Sequence, residues 1–462
     1  MLASIVNTFS NCFKIPELKS RIGFTFMLLA ICRLAAFIRI PSIDGAALSA
    51  YLASHAAGSG GLLNMYSLFT GGALENCAVG ALGIMPYISA TIVMQLLTAV
   101  VPTLSKLARE EGGRVKIIKY SRYLTVLLCI GQGYFMAYSW ENPQTIFGGW
   151  NQGPLVLSDN IWWYRIETVL ILTTGTLLLM WLGEQITERG IGNGISLVIT
   201  IGILARLPAA FQGLADMYFS PAGKGNFGNG IVLVALLIAV VAGVIAVTQA
   251  QRKIPVQYAQ RAVGRKVYSG GTSFLPLRLN FAGVMPIIFA QAILMVPQKL
   301  FTMIGSNFPS FAFLGKIGNA LNYGAMTYLV VYTLMILFFS YFWTATQFNE
   351  LQIADDLKKN GGYIPGVRPG QATSNYLHSA MTRITLAGAI FLTVIAVIPI
   401  VLTTHMNVPP AVGQYFGGTS MLILVGVLLD TMRQMESHLM MRHYDGFLKG
   451  GRSGGSRLRG RF

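Results

Sequence analysis

The sequence predicts an all-α polytopic membrane protein: ten transmembrane helices in two inverted, pseudo-symmetric five-helix halves. Three observations predict it. The 462 residues are 53% hydrophobic and only 11% charged, with a mean hydropathy of +0.58. A soluble domain carries about 25% charged residues. Ten runs are long enough to cross a bilayer. Finally, "GIMPYI" at 83–88 returns as "GVMPII" at 283–288.

A spanning helix needs about 20 mostly apolar residues. Candidate spans run near 22–39, 76–99, 121–140, 162–183, 194–213, 230–249, 281–300, 325–347, 384–403 and 416–436. No small-residue cleavage site follows the first, which reads as a retained span and not a signal peptide. Ten spans put both termini on one side. Of the 34 Lys and Arg, 27 fall in the set of connections that contains both termini and the loops at 100–120, 184–193, 250–280 and 348–383. The opposite set holds five: Arg39, Arg206, Lys224, Lys299 and Lys316. Arg33 and Arg165 fall inside spans. Positive charge marks the cytoplasmic side, so both termini are expected there.

The repeated motif lies in spans two and seven. An offset of five spans is odd, so the second copy crosses in the opposite direction, as in an inverted repeat. The expected organisation is a cytoplasmic segment 1–21, a five-helix half 22–213, a second half 214–437 and a basic tail 438–462. Pro86 and Pro286 each remove a backbone donor and are expected to bend two matching helices.

Several segments are neither plain span nor plain loop. "LLNMYSLFTGGALENC" (62–77) is apolar but too short to cross. It suits an interfacial helix at the outer surface, the reading its residues alone favour. The alternative is a half-helix that dips back into the protein and turns at Gly71 and Gly72. "GEQITERGIGNGIS" (183–196) lacks the strand and the Lys-Ser/Thr ending of a phosphate loop, so nucleotide binding is rejected. "FGGTS" (416–420) opens span ten with similar glycines, which allow close helix packing. The loop 251–280 alternates basic residues with Val256, Tyr258, Val267 and Tyr268, which predicts a hairpin. Loop 355–373 carries a glycine–proline turn around Arg368. These charges either orient the helices or build a docking surface. The four cysteines are scattered without metal spacing, and buried packing is the expected role.

Function classes can be weighed on the same residues. No nucleophile–base pair or metal cluster is apparent, which argues against an enzyme. A secondary transporter fits the inverted repeat, yet such proteins carry ionisable groups at the midplane, and this interior has almost none. An apolar interior with large basic loops on one side suits a passive pore that docks a large partner.

The strings "NMYSLFTGGAL", "ALGIMPYISATIVMQLL", "MWLGEQITERGIGNGIS", "LPLRLNFAGVMPIIFA", "YIPGVRPG" and "VPPAVGQYFGGTS" are specific, and they occur in order between about residues 16 and 445. In them the chain resembles the SecY family, central subunits of bacterial protein-conducting channels. The resemblance implies a clamshell of two halves around an hourglass pore in the inner membrane. It implies passage of unfolded secretory polypeptides and lateral release of membrane segments into lipid. A plug would lie near 62–74, with Leu63, Met65, Phe69, Gly71 and Gly72. The apolar ring would be Ile84, Ile88, Ile199, Ile288 and Ile423; span counting alone does not select these five. Spans two and seven, with three and eight, would form a lateral gate carrying Pro86, Ser89, Pro286 and Val296. Arg261, Arg265, Lys266 and Arg368 would meet SecA or the ribosome. SecE and SecG would complete a heterotrimer. Signal sequences and nascent polypeptides would be the ligands. The tail does not resemble the family's; its basic, glycine-rich composition by itself predicts weak attraction to anionic lipid or RNA. Neither cofactor, metal nor sequence-specific nucleic-acid binding is implied. "LAREEGGRVKI" is shorter and less basic than the family's second cytoplasmic loop, and "FNELQIADDLKK" lacks a proline usual after the asparagine.

Overall fold

The computed structural model describes residues 15–54, 67, 69–110, 112–143, 150, 153–219, 227–258, 261–263, 266–268, 271–307, 311–322, 325–405 and 419–450. Each predicted span overlaps a helix, though not over its full predicted length. α1 is Pro16–Leu34, followed by the short α2, Gly45–Ser54. α3 is Met85–Val100 and meets α4, Pro102–Arg109, at a bend of 104°. α5 is Gly113–Glu141 and α6 is Ile161–Arg189. Span five is covered by two helices, α7 (Gly194–Ala205) and α8 (Leu207–Phe219). They join at Arg206, just before Pro208, which has no N–H to continue the ladder. The second half holds α9 (Phe227–Gln249), α10 (Met285–Asn307), the short α11 (Ala312–Ala320), α12 (Met326–Gln347), α13 (Glu350–Lys359), α14 (Gln371–His405) and α15 (Thr419–Gly450). Among the described residues five helices are long and apolar enough to span by themselves, or six if α3 and α4 form one bent span. The other predicted spans are shorter or more polar helices.

Helix neighbours reveal the pseudo-symmetry. Numbered by span, two packs on three, three on four, four on one and one on five (α3–α5, α5–α6, α6–α1 and α1–α7). The second half repeats this scheme with α10–α12, α12–α14, α14–α9 and α9–α15. The halves meet chiefly along two seams, α3 on α10 and α7 on α15.

The repeated motif has one conformation in both places, and it is not the expected kink. Gly83 and Gly283 have φ of 59° and 63°. Each starts a helix: Ile88 N–H donates to Ile84 O at 3.1 Å, and Ile288 N–H to Val284 O at 3.3 Å. Pro86 and Pro286 are therefore second residues of α3 and α10. A helix's first turn has no acceptor for its N–H groups, so proline costs nothing there. The bend foreseen at these prolines is a helix start. Within the helices, prolines occur instead at Pro297 of α10 and Pro399 of α14. Span two likewise begins late. Residues 71–84 form successive turns, with left-handed backbone at Gly71, Gly72, Cys77 and Gly83.

The hairpin predicted for 251–280 is present. β1 (Gln251–Tyr258) pairs antiparallel with β4 (Thr272–Arg278), from Gln251 opposite Arg278 to Gln257 opposite Thr272. A smaller ladder joins β2 (Arg261–Val263) to β3 (Lys266–Tyr268). β5, Gly362–Tyr363, adds to the free edge of β1, with Gln257 opposite Tyr363. Both long basic loops thus share one sheet, ordered β4-β1-β5. Ile254 and Val256 alternate inward and pack with Leu277, Phe348, Ile364 and Leu377.

Candidate functional site

The site is built where the two halves meet. Ile84 caps α3 and Ile88 lies in its first turn. Ile199 is in the middle of α7, and Ile288 and Ile423 are in the first turns of α10 and α15. These are the four helices that form the seams. All five isoleucines are at most 5% exposed, and all belong to the one large apolar core. A β-branched side chain on each seam helix offers only methyl and methylene groups to its surroundings. Such a cluster excludes water and has no group with which to hold a polar solute.

The segment before span two enters this core. Phe69, Ala73 and Leu74 are buried. Phe69 and Leu74 share the core of the isoleucines. An interfacial helix would leave one face in the headgroup region, so the burial corrects that reading in favour of a re-entrant segment. Backbone proximity explains the glycines. A Cβ on Gly71 would fall 2.9 Å from Gly202 Cα, and one on Gly202 would fall 2.9 Å from Phe69 O. Downstream, the chain is tied to the end of span one: Ile40 N–H donates to Cys77 O at 3.0 Å, and Val79 N–H to Ile38 O at 2.9 Å. Leu63 and Met65 lie outside the described residues.

Polar groups fasten the same segment. The Arg33 guanidinium donates to Gly71 O. It also lies over the Phe37 ring, 4.7 Å from its centroid. Arg206 donates to Ser67 Oγ and forms an ion pair with Glu75. Ser67 Oγ donates to Glu75 Oε1 at 2.8 Å. Sequence reasoning missed this cluster; it treated Arg33 and Arg206 only as topology markers. The signal was present, because an ionisable residue within or beside a span normally has a named partner. A second pair, Arg165 with Glu141 at 2.8 Å, sits among the aromatic faces of Tyr134, Tyr138 and Trp162.

Of the proposed gate residues, Pro86 and Pro286 are buried and Ser89 is half-buried on α3. Val296 is on α10, and its side chain lies outside the described residues. A third link crosses between the halves where Gly192 N–H donates to Gln434 Oε1 at 2.9 Å. This gives the turn at 183–196 a role that its sequence did not disclose. Thr25 Oγ1 accepts from Ile191 N–H and Thr187 Oγ1 from Gly194 N–H, so the same turn is held by α1 and α6.

Arg368 is exposed in the turn after β5, where Thr373 Oγ1 donates to its carbonyl at 2.9 Å. Arg265 lies outside the described residues, as do the side chains of Arg261 and Lys266 on β2 and β3.

Comparison with known proteins agrees over most of the chain. A family model described as SecY matches residues 78–432. The protein translocase subunit SecY of Chlamydia trachomatis serovar D is 42% identical over 452 residues, covering 96% of this chain and 98% of that one. The corresponding subunit of Vibrio cholerae serotype O1 is 43% identical over 443 residues, with 94% and 95% covered. Among solved structures, one described as a protein conducting channel aligns with a TM-score of 0.57 at 18% identity, over 90% of this chain and 91% of that one. Another, of a SecY channel studied for its plug domain, aligns at 0.59 with the same identity and coverage. At that identity the likeness concerns the fold.

Proposed function

The chain belongs to the SecY family, and from that premise we propose which parts of this protein-conducting channel conduct, seal and open. As a family member it is a multi-pass membrane protein and a channel, not an enzyme. We assign the constriction to Ile84, Ile88, Ile199, Ile288 and Ile423. The observation that carries this reading is that all five come from α3, α7, α10 and α15, the helices along which the halves meet. Parting the halves therefore parts the ring. A closed aliphatic ring blocks ions by dewetting, and an open one offers a passing polypeptide nothing to bind.

The segment 62–74 acts as the plug. α3 and α10, flanked by α5 and α12, form the lateral gate through which an apolar segment reaches lipid. The sheet β4-β1-β5 and the turn at Arg368 form the docking face for SecA or the ribosome, which supply the driving force. Two separate loops contribute to that sheet, which supports one shaped surface over scattered orienting charges. SecE and SecG bind from the lipid side, signal sequences and nascent chains are the clients, and anionic lipid meets the basic tail. The location is the bacterial inner membrane with both termini cytoplasmic.

The test is purification from membranes in mild detergent followed by reconstitution. SecE should co-purify, and the proteoliposomes should take up a secretory precursor when SecA and ATP are added. A well-folded complex that retains its subunits and moves no precursor would overturn the assignment.

A further inference from the structure

The geometry points to a polar latch: Arg206, bridging Ser67 and Glu75, and Arg33, bound to Gly71 O, hold the plug shut and set how readily the idle channel opens. This rests on the plug reading above. The latch straddles a hinge. Ser67 lies before Gly71 and Gly72, Glu75 lies after them, and Arg206 holds both. The two glycines have φ of 62° and 89°, a backbone that glycine enters and leaves without steric cost. Gly72 N–H donates to Ser67 O at 2.9 Å, closing the turn around the hinge.

The far side of this hinge is fixed by further backbone bonds. Beyond Glu75 the chain is tied by Ile40 to Cys77 and by Val79 to Ile38, and Gly80 N–H donates to Ala35 O at 3.1 Å. Displacement of the plug therefore swings the part before Gly71. That swing breaks the Arg206–Ser67 and Arg33–Gly71 contacts and leaves Arg206–Glu75 intact as the anchor. The contacts are charge-assisted and largely shielded from water, with Arg206 and Glu75 side chains each 23% exposed. Such bonds are stronger than neutral ones.

Both arginines belong to the first half, Arg33 to α1 and Arg206 to the end of α7. The latch thus fastens the plug to that half alone. Opening has two steps: the second half can move away first, and the plug leaves only when the latch yields. An idle channel whose halves breathe apart stays closed to ions in the first step.

A structural salt bridge that merely helps folding would alter abundance and melting temperature and nothing else. The test uses the complex as purified from membranes, with resting ion conductance in planar bilayers as the readout. Glu75→Arg and Arg206→Glu should each raise resting conductance, roughly ten- to a hundredfold, as expected for loss of hydrogen bonds to a charged group. Together they should return it to within a few-fold of the parent, because the pair is restored with its sign exchanged. Arg206→Lys should restore only part, since one ammonium cannot fork between two acceptors as a guanidinium does. Ser67→Ala removes only the contacts on the moving side, and it carries the test if the charge variants fail to accumulate. It should raise conductance severalfold without lowering the melting temperature. Deletion of residues 62–70 is the separate arm for the plug itself. A leaking deletion with tight Ser67→Ala and tight charge variants overturns the latch alone. A tight deletion overturns the plug reading and the latch together.

Discussion

Gly83 and Gly283 hold nearly the same left-handed backbone, φ 59° and 63°, at the same step before a helix that begins Met-Pro. Their surroundings differ. A Cβ on Gly83 would meet Thr70 Cγ2 at 3.1 Å, whereas one on Gly283 would meet nothing within 4 Å. A left-handed non-glycine residue costs about 1–2 kcal/mol by itself. Gly283→Ala should therefore lower the melting temperature of the complex modestly. Gly83→Ala should lower it further, because Thr70 is itself buried. Equal shifts would mean that packing at Thr70 is loose.

Pro86 and Pro286 give an opposite expectation. Each sits where a helix has no internal acceptor for its N–H, so Pro86→Ala and Pro286→Ala remove no strain and restore no ladder bond. Both variants should accumulate and melt like the parent, to within roughly 0.5 kcal/mol. A large change in either would show that the prolines act as true kinks.

The isoleucine ring is tested by polarity. Ile88→Asn with Ile288→Asn places two amides in the seam between α3 and α10. The constriction should hydrate, and resting conductance should rise roughly tenfold, equivalent to about 1.4 kcal/mol in the barrier. The need for a strongly apolar signal sequence should relax as well. The same substitution at Ile238, an exposed apolar position on α9, should instead reduce abundance. A double variant that is well expressed, tight to ions and unchanged in signal selectivity rules out the seal.

The lateral gate is tested by fastening it. Cysteines at Ser89 and Val296, in a background without Cys12, Cys32, Cys77 and Cys129, can be bridged by a bifunctional thiol reagent. α3 and α10 are neighbours, so bridging should proceed. Release of membrane segments into lipid should stop in the bridged channel and return when a cleavable bridge is cut. Full release with the bridge in place would place the exit elsewhere.

Docking is read through salt. Arg368 is exposed and close to the sheet that joins both basic loops. Arg368→Glu should weaken binding of SecA or ribosomes about three- to tenfold, near 1 kcal/mol, with the larger loss at low ionic strength. Unchanged affinity for both would return Arg368 to an orienting role.

Much of this architecture was legible in the sequence because a bilayer permits few solutions. Apolar runs of spanning length, with basic residues gathered on alternate connections, dictate helices and their order. The alternation in 251–280 identified a hairpin because strand faces repeat every two residues. The recurrence of Gly-x-Met-Pro correctly paired spans two and seven. Its local shape was misread, since proline is compatible with a kink or with a helix start and only the preceding φ distinguishes them.

Tertiary structure alone decided what lies far apart in the chain. Composition does not say that Arg206 finds Ser67, 139 residues earlier, and Glu75, that Gly71 faces Gly202, or that β5 completes the sheet begun by β1. Side-chain chemistry states which groups need partners in a low-dielectric interior, and not which partners they find. Helix order fixes the neighbours available; packing of the two halves selects the four helices that meet and so brings five scattered isoleucines into one core.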